Sequence, residues 1–304
     1  MVVGVPPHTV DLTQTSDRIH RHLLDHVMPF WTTYGVDWDR GGVYTFLSDE
    51  GTIRSRSKSI ISNARALWTF SALVNRIEDR REWRDAAHGV FSFLQRCGRD
   101  ADGLWVYVVD ETEKVAIGEN SIITDAFAIH GLSEYFRMSG DSAALNLARE
   151  TADISRDRLS RPGSYKTAPY PTPSGTIAHR EFMQFSRAFC ELGDACNDFS
   201  LIRDGLELAH GVLQNFRQPT REVLLEYVDR NGNPVDSPAG RTMVPGHALE
   251  SLWFQIENFT KLAPHDRRDS ESAAAEAARA MKPCIEKGWD HEYGGILLAI
   301  DVEG

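Results

Sequence analysis

The segment EVLLEYVDRNGNPV, residues 222–235, reads as a short strand of mostly apolar side chains that closes on Asp229-Arg230-Asn231-Gly232. Asn-Gly after such a run is a strong local hairpin signal, because the turn it makes needs positive φ at its central residues. The same grammar of Gly, apolar run, Asp and turn recurs near Gly42 (GGVYTFLSDEGTI), Gly103 (DGLWVYVVDETEKV), Gly163 (PGSYKTAPYPTPSGTI) and Gly295 (GGILLAIDVEG). Successive starts are 61, 60, 59 and 73 residues apart, so the chain is built on a period near sixty. The Pro-rich third copy is the weakest.

Each interval between copies has helical periodicity and room for two antiparallel helices. The expected pairs are 59–78 with 82–97, 121–139 with 141–157, 178–196 with 198–217, and 247–263 with 270–287. A single helix over 12–33 precedes the first hairpin, for nine helices in all. Helix pairs joined by hairpins on one side describe an all-α fold, an (α/α)6 toroid. A closed six-fold ring takes twelve helices, so residues 1–304 are read as one domain, an incomplete ring lacking its last three. The apolar faces of the 12–33 and 270–287 helices are then expected to stand without their usual neighbours, favouring a homodimer.

Composition narrows the function. With 41% hydrophobic and 25% charged residues, the 304-residue chain is an ordinary globular protein. A formal charge of −11 is the wrong sign for a phosphate backbone, so no nucleic-acid partner is expected. No apolar run is long enough to span a bilayer, and the start, MVVGVPPHTVDL, has neither the basic nor the apolar region of a leader. Four scattered cysteines make no disulfide framework and no zinc pattern, which suits a reducing cytoplasm. P-loop, dinucleotide, serine-hydrolase and zincin motifs are all missing, so neither a metal nor a cofactor is expected. His22 and His26 have the i,i+4 spacing of a metal pair but no assignable third ligand.

At Val244-Pro245-Gly246-His247-Ala248-Leu249-Glu250, Pro and Gly end a loop and a helix begins with His in its first turn. The positive helix end favours a neutral imidazole able to act as a base, whereas Glu250, three residues on, orients the ring and favours the cation. A terminal, structurally satisfied His is the alternative. Arg65 falls at the edge of the apolar arc made by Ile61, Trp68 and Ala72, where a buried guanidinium needs an anionic or oxygen-rich partner. That partner is either a structural carboxylate or a substrate. Asp125 holds the same relative position in the next pair and has the same two readings. Among the tryptophans, most of which belong in the core, Trp253 is one that could stack on a sugar.

Five segments together resemble the N-acylglucosamine 2-epimerase family, which includes cellobiose 2-epimerases and mannose or aldose–ketose isomerases. They are Pro29-Phe30-Trp31 with Asp37-x3-Gly41-Gly42, Lys58-x6-Arg65, Asp125-x-Phe127, Pro245-Gly246-His247-x2-Glu250, and Gly288-x-Asp290-x3-Gly294-Gly295. The resemblance implies an (α/α)6 barrel and an isomerase acting on a monosaccharide. A base would remove the proton beside the open-chain carbonyl, and the resulting enediol would be reprotonated at the same or the next carbon. On that pattern His247 matches a catalytic acid/base, Glu250 its supporting carboxylate, and Arg65 a substrate-contacting arginine; Asp125 and Trp253 are further substrate-binding expectations. Met183-Gln184-Phe185-Ser186-Arg187 lacks the His and Glu that cellobiose epimerases carry there, which disfavours the disaccharide subtype. The family's second catalytic His would fall after Gly304. Two rival readings are a toroid glycoside hydrolase or lyase with Asp125 and Glu250 as facing carboxylates, and a sugar-binding protein without turnover.

Overall fold

The computed structural model describes residues 11–266 and 269–304, so residues 1–10, most of the segment expected not to be a leader, lie outside the described residues. Nine helices are found among the described residues. Helix α1 (Leu12–His22) continues in wide turns over Leu23–Val27 and Trp31–Gly35. It is followed by α2 (Ile60–Arg76), α3 (Arg81–Cys97), α4 (Ile123–Ser139), α5 (Ser142–Leu159), α6 (His179–Cys196), α7 (Phe199–Gly211), α8 (Pro245–Leu262) and α9 (Ser270–Gly288).

Local chemistry sets these boundaries. Ser59, Asp141, Asp198 and Asp269 each accept a backbone N–H in the first turn of the helix that follows, an interaction worth about 1 kcal/mol apiece. Two of these caps sit directly behind a left-handed residue. Gly140 ends α4 just before Asp141, and Asn197 ends α6 just before Asp198, so each pair reverses within two residues.

The even-numbered helices α2, α4, α6 and α8 pack on one another in succession, and each also packs on the odd-numbered helix that follows it. This is the two-layered wall of an α/α toroid, with α2, α4, α6 and α8 inside. Close approach between α2 and α4 depends on Gly131, where a Cβ would lie 2.4 Å from the Ala64 carbonyl oxygen. One core joins α2 through α6; a second is built on α7, α8 and α9.

The hairpins close one face in a repeating way. Lys58–Ser59, just before α2, pairs antiparallel with Val108–Val109 of the second copy. Thr176–Ala178, before α6, pairs with Tyr227–Asp229 of the fourth, and Thr242–Met243, before α8, with Ile300–Asp301 of the fifth. Before α4 the Pro-rich third copy manages a single bridge, Ser121 to Thr167. Every inner helix therefore starts at the hairpin face. In the second and fourth copies the turn Asp works as the pattern implies, the carboxylates of Asp110 and Asp229 accepting backbone N–H groups two and four residues on, whereas in the first copy the Ser48 hydroxyl takes that place.

At the opposite face, the C-terminal halves of the inner helices surround a cavity of about 700 Å³. Its wall is an ion-pair network in which Arg76 and Arg137 meet Glu134, and Arg137 and Arg187 meet Glu191. Burial pushes the Glu191 carboxyl up, but Arg187 and Arg137 outweigh it and bring it to about 2.

Of the two faces expected to stand bare, that of α1 does and that of α9 does not. No residue of Leu12–His22 is buried, whereas α9 buries Ala273, Ala277, Ala280 and Cys284 against the second core. Exposed apolar side chains instead gather on α1 and on the fifth hairpin, including Tyr293 and Leu298.

Candidate active site

His247 lies in the first turn of α8, behind Pro245, whose fixed φ suits a helix start. Its side chain is 39% exposed at the hairpin face, and its Nδ1 is 3.3 Å from Glu226 Oε2. The carboxylate that meets the ring is thus Glu226 from the fourth hairpin rather than the expected Glu250. Glu250 is exposed and acts on the ring only through space. The hydrogen bond to Glu226 is the largest influence on His247 and raises its pKa against the opposing effect of burial. Glu226 is itself buried, which pushes its carboxyl up, but the two imidazoles that face it, His179 and His247, prevail and hold it at about 2. The balance between helix end and carboxylate therefore falls on the side of the cation.

Glu226 also faces His179, the first residue of α6, whose Nδ1 is 3.6 Å from Glu226 Oε1. His179 is fully buried, and its Nε2 is 2.9 Å from Ser251 Oγ on α8. Neither His179 nor Glu226 was singled out from the sequence. A signal for Glu226 does exist in the repeat. The residue two before the strand-ending Val-Asp is Tyr107 in the second copy and Glu226 in the fourth, and both use their carbonyl to receive the first N–H of an inner helix, Ile60 and His179 respectively. A carboxylate at that inward step, in an otherwise apolar strand, marks the mouth.

Arg65 is in the second turn of α2, at the same face as His247, and it is exposed where the sequence suggested burial. Its guanidinium stands over the Phe127 ring of α4 at 5.1 Å, which leaves the donors free for a ligand. Arg65 edges a cavity of about 370 Å³ with Trp31, Tyr44, Thr45 and Ser62.

Asp125 takes the structural reading. It is 1% exposed and turned to α5, with Oδ2 2.7 Å from Arg158 Nη1 and 3.3 Å from Ser155 Oγ. Its Oδ2 is thus engaged in a buried contact between neighbouring helices rather than presented at the surface. Trp253 is half exposed beside Phe254, farther along α8 than His247. His22 and His26 stand with ring centroids 5.3 Å apart on the solvent side of α1. No group of three or more His, Cys, Asp or Glu placed to hold a metal occurs among the described residues.

A family model described as N-acylglucosamine 2-epimerase (GlcNAc 2-epimerase) matches residues 41–304. The chain belongs to this family. Among curated members, mouse N-acylglucosamine 2-epimerase is 24% identical over 302 residues, covering 92% of this chain and 67% of the relative. The bovine protein is 26% identical, covering 95% and 68%. A cellobiose 2-epimerase from Ruminococcus albus is 34% identical over 144 residues, 46% of this chain and 36% of the relative. The chain thus spans about two thirds of the length of the N-acylglucosamine 2-epimerases.

Solved structures agree on the fold. A sugar epimerase from a ruminal bacterium superposes with TM-score 0.76 at 21% identity, over 95% of this chain and 76% of that one. A D-mannose isomerase gives 0.75 at 16%, over 94% and 75%. A family 76 glycoside hydrolase is less similar, at 0.63 and 14% identity over 89% and 57%. No helix among the described residues is long and apolar enough to cross a membrane.

Proposed function

We propose that this family member is an isomerase that epimerises a monosaccharide at C2, or interconverts aldose and ketose, by proton transfer through an enediolate. N-acylglucosamine and mannose-type sugars are the substrate class. The observation that carries this reading is His247, half exposed at the hairpin face, with one ring nitrogen held by a buried carboxylate and the other turned to solvent.

Such a site supplies the two things the reaction needs. Removing a proton next to a carbonyl demands a base whose protonation state is controlled, and His247 with Glu226 provides it. The carbon acid is far weaker than imidazolium, so the enediolate oxygen also needs a positive group. Arg65, at the same face and with its guanidinium uncommitted to any carboxylate, is assigned that role. Sequence identities of 24% and 26% to mouse and bovine N-acylglucosamine 2-epimerases favour a monosaccharide. So does Gln184 in place of the His found in disaccharide epimerases.

The cytoplasm is the proposed location, in keeping with four cysteines that are all free thiols. A homodimer is the proposed assembly, on the strength of Leu12 and Ile19 of α1, which are 78% and 62% exposed. Sedimentation of the purified chain tests it, and a concentration-independent monomer rules it out.

The deciding experiment incubates the protein with mannose, glucose and N-acetylmannosamine in heavy water. Deuterium appearing at C2 supports proton transfer; bound sugar without exchange would leave a binding protein, and cleavage of a mannose oligosaccharide supplied in a parallel incubation would mean a hydrolase.

A further inference from the structure

We infer that Glu226 is a shared acceptor that fixes both His179 and His247 with hydrogen on Nδ1, leaving His247 Nε2 as the atom that exchanges a proton with substrate. This rests on the reading of His247 as the proton-transfer group. Glu226, His179 and Ser251 are positioning residues that act through His247.

Hydrogen-bond directions can be followed from a fixed end. Asn258 donates through Nδ2 to Gln255 Oε1 at 3.4 Å, so the Gln255 amide nitrogen points the other way and donates to Ser251 Oγ at 3.5 Å. A hydroxyl has a single hydrogen. Ser251 accepts from Gln255 and keeps its own hydrogen for His179 Nε2 at 2.9 Å, the arrangement selected by Glu226 Oε1, which faces the other ring nitrogen and can only accept. A ring nitrogen that accepts carries no hydrogen in the neutral imidazole, so the hydrogen of His179 is on Nδ1, the atom facing Glu226 Oε1.

That contact is 3.6 Å long, and neither His179 Nδ1 nor Glu226 Oε1 has a hydrogen-bond partner, although both are buried. Two orphaned buried atoms facing each other are satisfied together by a shift of a few tenths of an ångström. The second oxygen, Oε2, takes His247 Nδ1 at 3.3 Å. An ionised carboxylate only accepts, so both rings must present hydrogen to it. Residues Asn258, Gln255, Ser251 and His179 are buried, so water does not scramble the order. His247 Nε2 is left at the open mouth without a hydrogen-bond partner among the described residues.

The arrangement also sets where His247 titrates. Glu226 and Glu250 favour its cation, Arg180 opposes it, and His179 stands beyond Glu226 as a second donor competing for the same carboxylate. Taking the carboxylate away leaves burial and Arg180 opposed by Glu250 alone, so the midpoint falls.

Nitrogen-15 NMR of His179 and His247 tests this directly. In the unmodified protein above the titration midpoint, both rings are expected as the Nδ1–H tautomer. In Glu226→Gln the His247 midpoint moves to lower pH and the Nε2–H tautomer appears. The same variant should lower kcat for C2 exchange roughly 10²-fold with KM within a few-fold, and shift the acidic limb of the pH profile down with the midpoint. Glu226→Asp should restore part of the Nδ1–H population, and Ser251→Ala should free the His179 tautomer alone. An Nε2–H ring at His247 in the unmodified protein overturns the inference, as does an unchanged midpoint in folded Glu226→Gln. If that variant does not fold, the tautomers of the unmodified protein decide. A chain that exchanges no sugar proton at all refutes the proposed function but leaves the tautomer result standing.

Discussion

Glu226 Oε2 approaches His247 Nδ1 to 3.3 Å from 21 positions away in the sequence. The repeat makes the meeting unavoidable. Glu226 sits in the bend just before Tyr227–Asp229, the strand that closes the face where α6 starts, and its N–H donates to the Thr242 carbonyl in the strand that leads into α8. A hairpin residue of one repeat is thereby brought to the first turn of the next inner helix. The same geometry sets a pH window for stability. Glu226 has a folded pKa depressed to about 2, so its contribution is present above the ordinary carboxylate range and is lost as pH falls toward that value. His247 has a raised folded pKa, so its contribution is present below the ordinary histidine value and is lost as pH rises through the folded one. Both terms hold between about pH 4.5 and 6.5. The melting-temperature difference between the unmodified protein and His247→Asn is therefore expected to peak there and shrink on both sides. A difference that is flat across pH 3 to 9, to within about one degree, contradicts the pairing.

Asp125→Ala is expected to cost stability and spare binding. The change strands Arg158, 10% exposed, beside Glu119 with half of its anionic environment gone. Breaking a buried pair from one side costs about 3–5 kcal/mol, although Glu119 retains part of the compensation and places the loss at the lower end. Chemical denaturation reads the stability, and sugar titration of the folded fraction reads the binding. A large loss of sugar affinity with an unchanged unfolding midpoint would return Asp125 to the substrate.

Gly131→Ala sets two effects against each other. Alanine favours a helix by about 1 kcal/mol over glycine, but its Cβ would meet the Ala64 carbonyl oxygen at 2.4 Å. That oxygen belongs to the backbone of α2 and cannot rotate away, so overpacking of about 1–3 kcal/mol prevails. The expected result is net destabilisation, and a variant that melts higher than the parent shows that α2 and α4 separate freely.

The fold was legible because the repeat was. Asp-Gly turns, Gly140-Asp141 and Asn197-Asp198 are short-range signals, and seven of the nine helices came within two residues of their expected bounds, whereas α1 and α7 end early, at His22 and Gly211, and give way to wide turns over most of the rest of the expected span. The site was legible only where one segment held the information. Pro245-Gly246-His247 announces a helix start, but the His247 carboxylate comes from another repeat, and i,i+3 spacing pointed to Glu250. Asp125 was ambiguous because Arg158, its partner, is on the following helix. Arg65 was expected to be buried from its apolar flanks, yet its side chain leaves that arc to lie over Phe127. Periodicity fixes which face a residue occupies, and not which side chain from a neighbouring repeat will meet it.

Arg65 and His247 are expected to fail in different ways. If His247 moves the C2 proton, His247→Asn removes the only group at this mouth assigned to do so. Asparagine approximates the ring's near side and can still hydrogen-bond Glu226, so the pocket is retained. Exchange at C2 should then be abolished while sugar affinity stays within a few-fold, the signature of an interaction used in the transition state. Arg65 is different, because a guanidinium that meets the sugar's oxygens acts before and during proton removal. Its contact with Phe127 at 5.1 Å also stabilises its pose through the ring face. Arg65→Ala should weaken binding and rate together, and Arg65→Lys should recover little, because an ammonium lacks the planar fork. Isothermal titration with N-acetylmannosamine, alongside the heavy-water assay, separates the two patterns. Near-normal exchange in His247→Asn, or a fall in rate with unchanged affinity in Arg65→Ala, would remove the role assigned to that residue.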